Sequence, residues 1–122
     1  MNVVILTRGG DVRAVRRQLE ECTAYAQRMK LTVADICAET MARGAPFPTP
    51  AVQKILNTAK RKKRNFDGVL MVETGRVADD LDYFGYFWHS LNDAGVQVIT
   101  AHNGALTWDK MSVATKVALG LI

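Results

Sequence analysis

The sequence predicts an α/β fold in three layers, a mainly parallel sheet of four to five strands with helices packed on it. Two observations carry that expectation. Apolar runs of strand length alternate along the chain with segments whose apolar residues recur at three-four spacing. The links between them are short, and strand-helix alternation with short links means a parallel, doubly wound sheet. A chain of 122 residues that is 48% hydrophobic, without internal repeats or a linker, supplies one core and one domain, residues 1–122.

The first strand is expected over Asn2 to Thr7, apolar at its centre and therefore buried on both faces. Asp11 is placed to cap the following helix, whose inward residues read as Val12, Val15, Leu19, Cys22, Ala26 and Met29. A second strand runs from about Leu31 to Cys37. The next stretch holds Gly44, Pro46 and Pro48, too many turn formers for regular structure. Thr49-Pro50 reads as an N-cap with proline at the first helical position. That helix packs through Val52, Ile55, Leu56 and Ala59 and ends in the run Lys60-Arg61-Lys62-Lys63-Arg64.

Asp67 to Val72 gives a third strand, with a turn over Glu73–Arg76. Asp79 and Asp80 open a helix with Leu81, Phe84, Phe87, Trp88 and Leu91 inward. Gly85 costs that helix about 1 kcal/mol relative to alanine, a sign of close packing. Gly95 stands as its C′ residue, and Val96 to Thr100 forms the fourth strand. Met111–Ile122 reads as helical. In such a sheet functional groups gather at the carboxyl ends of the strands, here Arg8–Gly10, Glu39–Gly44, Glu73–Arg76 and Ala101–Asn103.

The composition narrows the function. No apolar run approaches the ~20 residues of a membrane span. The N-terminal apolar run ends in Arg8, without the pattern of a signal peptide. Cys22 and Cys37 fall in regular elements and make a poor disulfide framework, so the cytoplasm is the expected compartment. The net charge of +4 is concentrated in Arg8, Arg13, Arg16 and Arg17 and in Lys60–Arg64, patches that favour a polyanion such as DNA. A solvated face with cations near a helix C-terminus accounts for the same run without a ligand.

No Walker sequence or complete dinucleotide fingerprint is present, and no cofactor is expected. His89 reads as structural. His102 has the better address beyond the fourth strand, but no His or Cys lies near it in sequence to build a metal site. Tyr83 and Tyr86 read as the exposed members of an otherwise inward aromatic stripe, open to a partner helix.

Four short motifs in order resemble the catalytic domain of serine recombinases, the resolvase/invertase family with its large serine integrase branch. Gln18-Leu19-Glu20-Glu21-Cys22-Thr23-Ala24-Tyr25-Ala26 is similar to the family's "QLxxCxxYA" helix. Gly44 followed by Thr49-Pro50-Ala51-Val52-Gln53-Lys54-Ile55-Leu56 resembles a glycine followed by "RPxLQxLL". Phe66 to Val72 resembles the strand before "DRLxR", and Asn92 to Thr100 the "LxxxGVxxxS" junction.

The resemblance implies DNA strand exchange, in which a serine hydroxyl attacks a DNA phosphate and several arginines neutralise the developing charge. It also implies where this chain departs. The arginine two residues before the nucleophile is Arg8, and the nucleophile position is Gly10, which has no side chain. The arginine before proline is Thr49, and "DRLxR" reads Gly75-Arg76-Val77-Ala78-Asp79. Arg8, Gln18 and Arg76 survive; Gly10, Thr49, Gly75 and Asp79 mark a degenerate site with no catalytic residue expected.

What this leaves is phosphate binding by Arg8, Gly9, Gly10, Gln18 and Arg76, and by Lys60, Arg61, Lys62, Lys63 and Arg64. The expected partners are DNA through its backbone, and a recombinase-like protein or a second copy. Residues 111–122 would then open a longer dimerisation helix. Alternatively, the glycines only permit a turn and Arg8 pairs with a carboxylate such as Glu39 or Glu73. Two other classes stay open: an enzyme with a displaced nucleophile, for which Thr74 stands better placed than Thr7, Ser90 or Ser112, and a pure protein-interaction module.

Overall fold

The computed structural model describes residues 1–42 and 44–122. Strands β1 (Asn2–Gly9), β2 (Thr32–Thr40), β3 (Gly68–Met71), β4 (Gln97–Thr100) and β5 (Gly104–Ala105) form one sheet in the order β2-β1-β3-β4-β5. The first four are parallel and β5 is antiparallel to β4. Among the described residues four α-helices accompany them: α1 (Val12–Arg28), α2 (Pro50–Ala59), α3 (Leu81–Asp93) and α4 (Val113–Ala118). Among the described residues no helix is long and apolar enough to cross a membrane.

The alternation of side chains along the strands divides the core in two. On one face Val3, Ile5, Leu70, Val72 and Ile99 pack with Cys22, Tyr25 and Ala26 of α1. On the other, Val4, Leu6, Val69, Met71 and Val98 pack with α2 through Val52, Ile55, Leu56 and Ala59, and with α3 through Phe84, Phe87, Trp88 and Leu91. The three-layer α/β architecture with a mainly parallel sheet is therefore the one the sequence predicts.

Several details differ, each for a physical reason. β1 runs two residues past Thr7, because β2 continues beside it until Gly9 faces Thr40. Gly9 is a strand residue, not part of a turn: a Cβ there would lie 2.9 Å from Ala14 Cβ, so the glycine lets α1 approach β1. The inward face of α1 is rotated. Gln18, Cys22, Tyr25 and Ala26 are buried, whereas Val12 and Met29 are exposed, because the buried polar Gln18 takes a position that apolar spacing gave to its neighbours. Leu81, expected inward, is exposed at the first turn of α3.

Capping follows the sequence in part. Asp11 accepts from Ala14 N at 2.8 Å, and Asp80 accepts from Asp82 N at 2.8 Å. Thr49 has the N-cap backbone of α2, but its buried hydroxyl makes no capping bond; Glu39 at the end of β2 accepts from Ala51 N at 2.6 Å instead. Gly95 takes φ +78 after α3, as a C′ glycine does.

The segment 111–122 is not one continuous helix. α4 spans Val113–Ala118 and closes at Gly120 (φ +70), with Gly120 N donating to Val117 O and Leu121 N to Lys116 O. Leu121 is buried in the core, and a Cβ on Gly85 would lie 2.6 Å from Gly120 O. The glycine inside α3 is thus the seat of the turn that ends α4.

Candidate phosphate-binding corner and basic turn

The site begins where β1 outruns its neighbour. β3 pairs with β1 only from Val3 to Ile5, so the main chain of Arg8 has no strand on that side. Gln18 of α1 takes the place of the missing strand. Its Oε1 accepts from Arg8 N at 3.0 Å, and its Nε2 donates to Arg8 O at 2.8 Å. Gln18 is buried, and its amide is spent on the backbone. Gln18 is therefore not the phosphate ligand that the sequence suggests, because neither amide atom is free for one.

The Arg8 side chain is buried too. Its Nη2 lies 3.2 Å from Asp79 Oδ1 and 3.3 Å from the carbonyl oxygen of Gly75. Asp79 also accepts from Gly44 N at 3.1 Å through Oδ2, joining the loop before α2 to the entry of α3. Arg8 does pair with a carboxylate, but with Asp79 and not with Glu39 or Glu73. Glu73 pairs with Arg76 at 3.1 Å, while Arg76 Nη1 donates to Arg8 O at 3.3 Å. The corner therefore gathers Arg8, Gln18, Gly75, Arg76 and Asp79 from two distant parts of the sequence. Its two arginines each face a carboxylate, which offsets the charge of Arg8 and Arg76 but not that of exposed Arg13, Arg16 and Arg17 on α1.

Gly10 stands exposed just past the end of β1, and a Cβ there would meet none of the described residues within 4 Å. Gly75 is open in the same way. Neither glycine is required by packing, and neither has a positive φ. Thr49 is buried with its hydroxyl unpartnered among the described residues. Position 43 of the expected strand end 39–44 lies outside the described residues.

The basic run is elsewhere. α2 connects parallel strands, so its C-terminal end lies at the amino ends of those strands, the pole opposite Arg8. Lys60, Arg61, Lys62 and Lys63 are exposed in the turn after α2. Arg64 differs from them: its Nε donates to Phe66 O at 3.0 Å and its Nη2 to Gly95 O at 3.5 Å. It fastens the turn to the approaches of β3 and β4. The signal for this separation lay in the sequence, since a run directly before a parallel strand must fall at the amino pole.

Other candidates resolve as follows. His102 Nε2 lies 3.0 Å from Glu21 Oε1, both half-exposed. Thr74 and His102 share a cavity of about 680 Å³ with Glu73, Lys110 and Ser112, yet no hydrogen bond ties the Thr74 hydroxyl to a base among the described residues. Thr7 is wholly buried. Ser112 caps α4 by accepting from Thr115 N at 3.1 Å. His89 approaches the carbonyl oxygen of Leu121 at 3.3 Å, a structural contact. Burial pushes the Cys22 thiol up to about 12, with Glu21 adding to it, and burial also raises Cys37. Among the described residues no three His, Cys, Asp or Glu side chains gather where they could hold a metal ion.

Tyr83 and Tyr86 are exposed as expected, but they are not alone. Phe47, which the sequence offered no reason to single out, stacks on Tyr83 with centroids 4.9 Å apart and planes 8° apart, and meets Tyr86 edge-on at 6.3 Å. Its position between two prolines in an irregular loop hides it from any periodicity.

The family model described as "Resolvase, N terminal domain" matches residues 7–121. Among solved structures, the chain is similar to the N-terminal catalytic domain of TP901-1 integrase, at 22% identity and a TM-score of 0.78, over 99% of this chain and 90% of that one. The C-terminal catalytic domain of ISC1926 TnpA, an IS607-like serine recombinase, matches at 20% identity and a TM-score of 0.72, over 83% of this chain and 70% of that one. A resolvase family site-specific recombinase from Streptococcus pneumoniae matches at 15% identity and a TM-score of 0.75, over 98% and 83%. No curated protein matches the sequence.

Proposed function

We propose, starting from a chain that belongs to the resolvase N-terminal domain family, that it binds DNA in site-specific recombination without cutting it. One observation carries this reading. Arg8, the cation at the end of β1 beside the position where the family resemblance implies a nucleophile, is buried against Asp79 at 3.2 Å, and Gly10 offers no hydroxyl. Phosphoryl transfer needs both an attacking group and unspent positive charge around the phosphoryl oxygens. Arg76 is likewise engaged, by Glu73. Restoring a serine at Gly10 alone would leave that electrostatic deficit in place.

Binding needs less than cleavage. Lys60, Arg61, Lys62 and Lys63 stand free in solvent and can each replace a condensed counterion on a DNA backbone, without reading its sequence. Arg64 keeps their turn in place. The role that follows is regulatory or structural, in the cytoplasm, beside a recombinase-like partner or a second copy of the chain.

The test is the salt dependence of duplex binding. Each neutralised phosphate contributes about 0.9 to the slope of log affinity against log salt. Replacing Lys60, Arg61, Lys62 and Lys63 together by glutamine should flatten that slope by about 3 to 4. An unchanged slope, or no binding by the parent chain at low salt, would sink the proposal.

A further inference from the structure

We infer that the groove between α2 and α3 binds single-stranded nucleic acid, stacking unpaired bases on its aromatic wall and leading the phosphates to Lys60–Lys63. The inference rests on the DNA-binding reading above and deepens it by naming the strand form and the surface. The groove encloses about 530 Å³ and is lined by Phe47, Pro48, Gln53, Leu56, Lys60, Asp82, Tyr83 and Tyr86, with buried Leu56 as its floor. α2 spans ten residues, so the path along it is about 15 Å at ~1.5 Å per residue.

Its two ends differ in kind. At the loop end, Phe47 and Tyr83 are already stacked and Tyr86 stands perpendicular to Phe47, so three rings are arranged before any ligand arrives. Tyr83 is 48% exposed and Tyr86 56%, although rings of this size are usually covered in a fold with so full a core. At the other end stands Lys60, which also lines a neighbouring depression with Arg61, Lys62, Arg64 and Asp93, while Asp82 is the one acid that lines the groove itself.

A partner matching this surface must present flat π faces beside a line of anions. A single strand does so in every nucleotide, and base stacking on aromatic side chains with a cationic backbone track is how such strands are held. A duplex keeps its base faces stacked inside and offers the groove phosphates only.

The position also joins the two poles of the domain. Phe47 and Tyr83 form a wall shared with a second depression, of about 300 Å³, that holds Arg8, Gly44, Asp79 and Asp80. A strand on the ring stack therefore borders both depressions, and the acids Asp79 and Asp80 of the second favour a backbone that leaves towards Lys60.

The experiment is fluorescence anisotropy with the full chain and a labelled oligothymidylate of about 12 nucleotides, inside the ~4–16-nucleotide range of such sites. A hairpin duplex of equal charge is the comparison. The single strand should bind more tightly than the duplex. Tyr86→Ala should weaken single-strand binding about tenfold, Tyr86→Phe by no more than about twofold, and neither should alter duplex binding. Both tyrosine variants change an exposed side chain, so the fold is retained. Equal affinity for the two forms, or equal behaviour of the two variants, would overturn the inference. So would a self-association lost in Tyr86→Ala with single-strand binding intact, which would make a second copy the occupant. Duplex binding without single-strand preference removes this inference alone; absence of both removes the DNA-binding reading as well.

Discussion

Replacing Gln18 by alanine should destabilise the domain by about 3 kcal/mol. The magnitude follows from what the amide does. Arg8 N would be left as a buried donor without a partner, which costs about 1–3 kcal/mol. Arg8 O would lose its 2.8 Å bond but keep Arg76 Nη1 at 3.3 Å, a further loss of about 0.5–1 kcal/mol. The buried methylene of Gln18 adds about 0.8 kcal/mol. Urea denaturation followed by the fluorescence of buried Trp88 measures the sum. Gln18→Glu sharpens the test. An ionised carboxylate can accept from Arg8 N but opposes Arg8 O, whereas a protonated one can bond both. Its stability relative to the parent should therefore recover as the solution is acidified. A change below about 0.5 kcal/mol in Gln18→Ala, the scale of an ordinary surface substitution, or a pH-invariant deficit in Gln18→Glu, would refute the assigned role.

Asp79→Asn should cost about 1 kcal/mol, near the upper limit for an exposed pair, because Asp79 is half-exposed while Arg8 is not. It should also raise duplex affinity and steepen the salt slope by about 0.9 as Arg8 becomes available to a phosphate; unchanged affinity would show that Asp79 does not offset the charge of Arg8. The raised Cys22 thiol carries a signed prediction. Folding holds its proton from the ordinary value of 9.0 up to about 12, so the stability it contributes is complete below pH 9 and lost as pH rises toward 12. Cys22→Ala should lose stability less steeply over that window in parallel urea titrations, and superimposable slopes would contradict the shift.

The order of elements was legible because each rests on local chemistry: the apolar runs of β1 and β3, the Asp11 and Asp80 caps, and Gly95 after α3. The errors share one cause, that a neighbour distant in sequence decided the outcome. Gly9 looks like a turn residue until Ala14 is placed over it. Gln18 looks like a phosphate ligand until β3 is seen to stop short of Arg8. Thr49 looks like a cap until Glu39 supplies one. The departures that the family resemblance implies at Gly10, Thr49, Gly75 and Asp79 are readings of the sequence alone. The pairing of Asp79 with Arg8, 71 residues away, could not be read there. Nor could the stacking of Phe47 on Tyr83. The two halves of the expected phosphate surface lie at opposite poles, a consequence of parallel topology that charge counting ignores.

Binding without cleavage is tested most directly by one sample run on two gels. Labelled duplex and nicked DNA incubated with the full chain at low salt should migrate as a complex on a native gel. After denaturation with detergent, all of the label should return to the position of free DNA. A detergent-stable protein–DNA adduct, at any residue, would contradict the account, and so would the absence of a native complex.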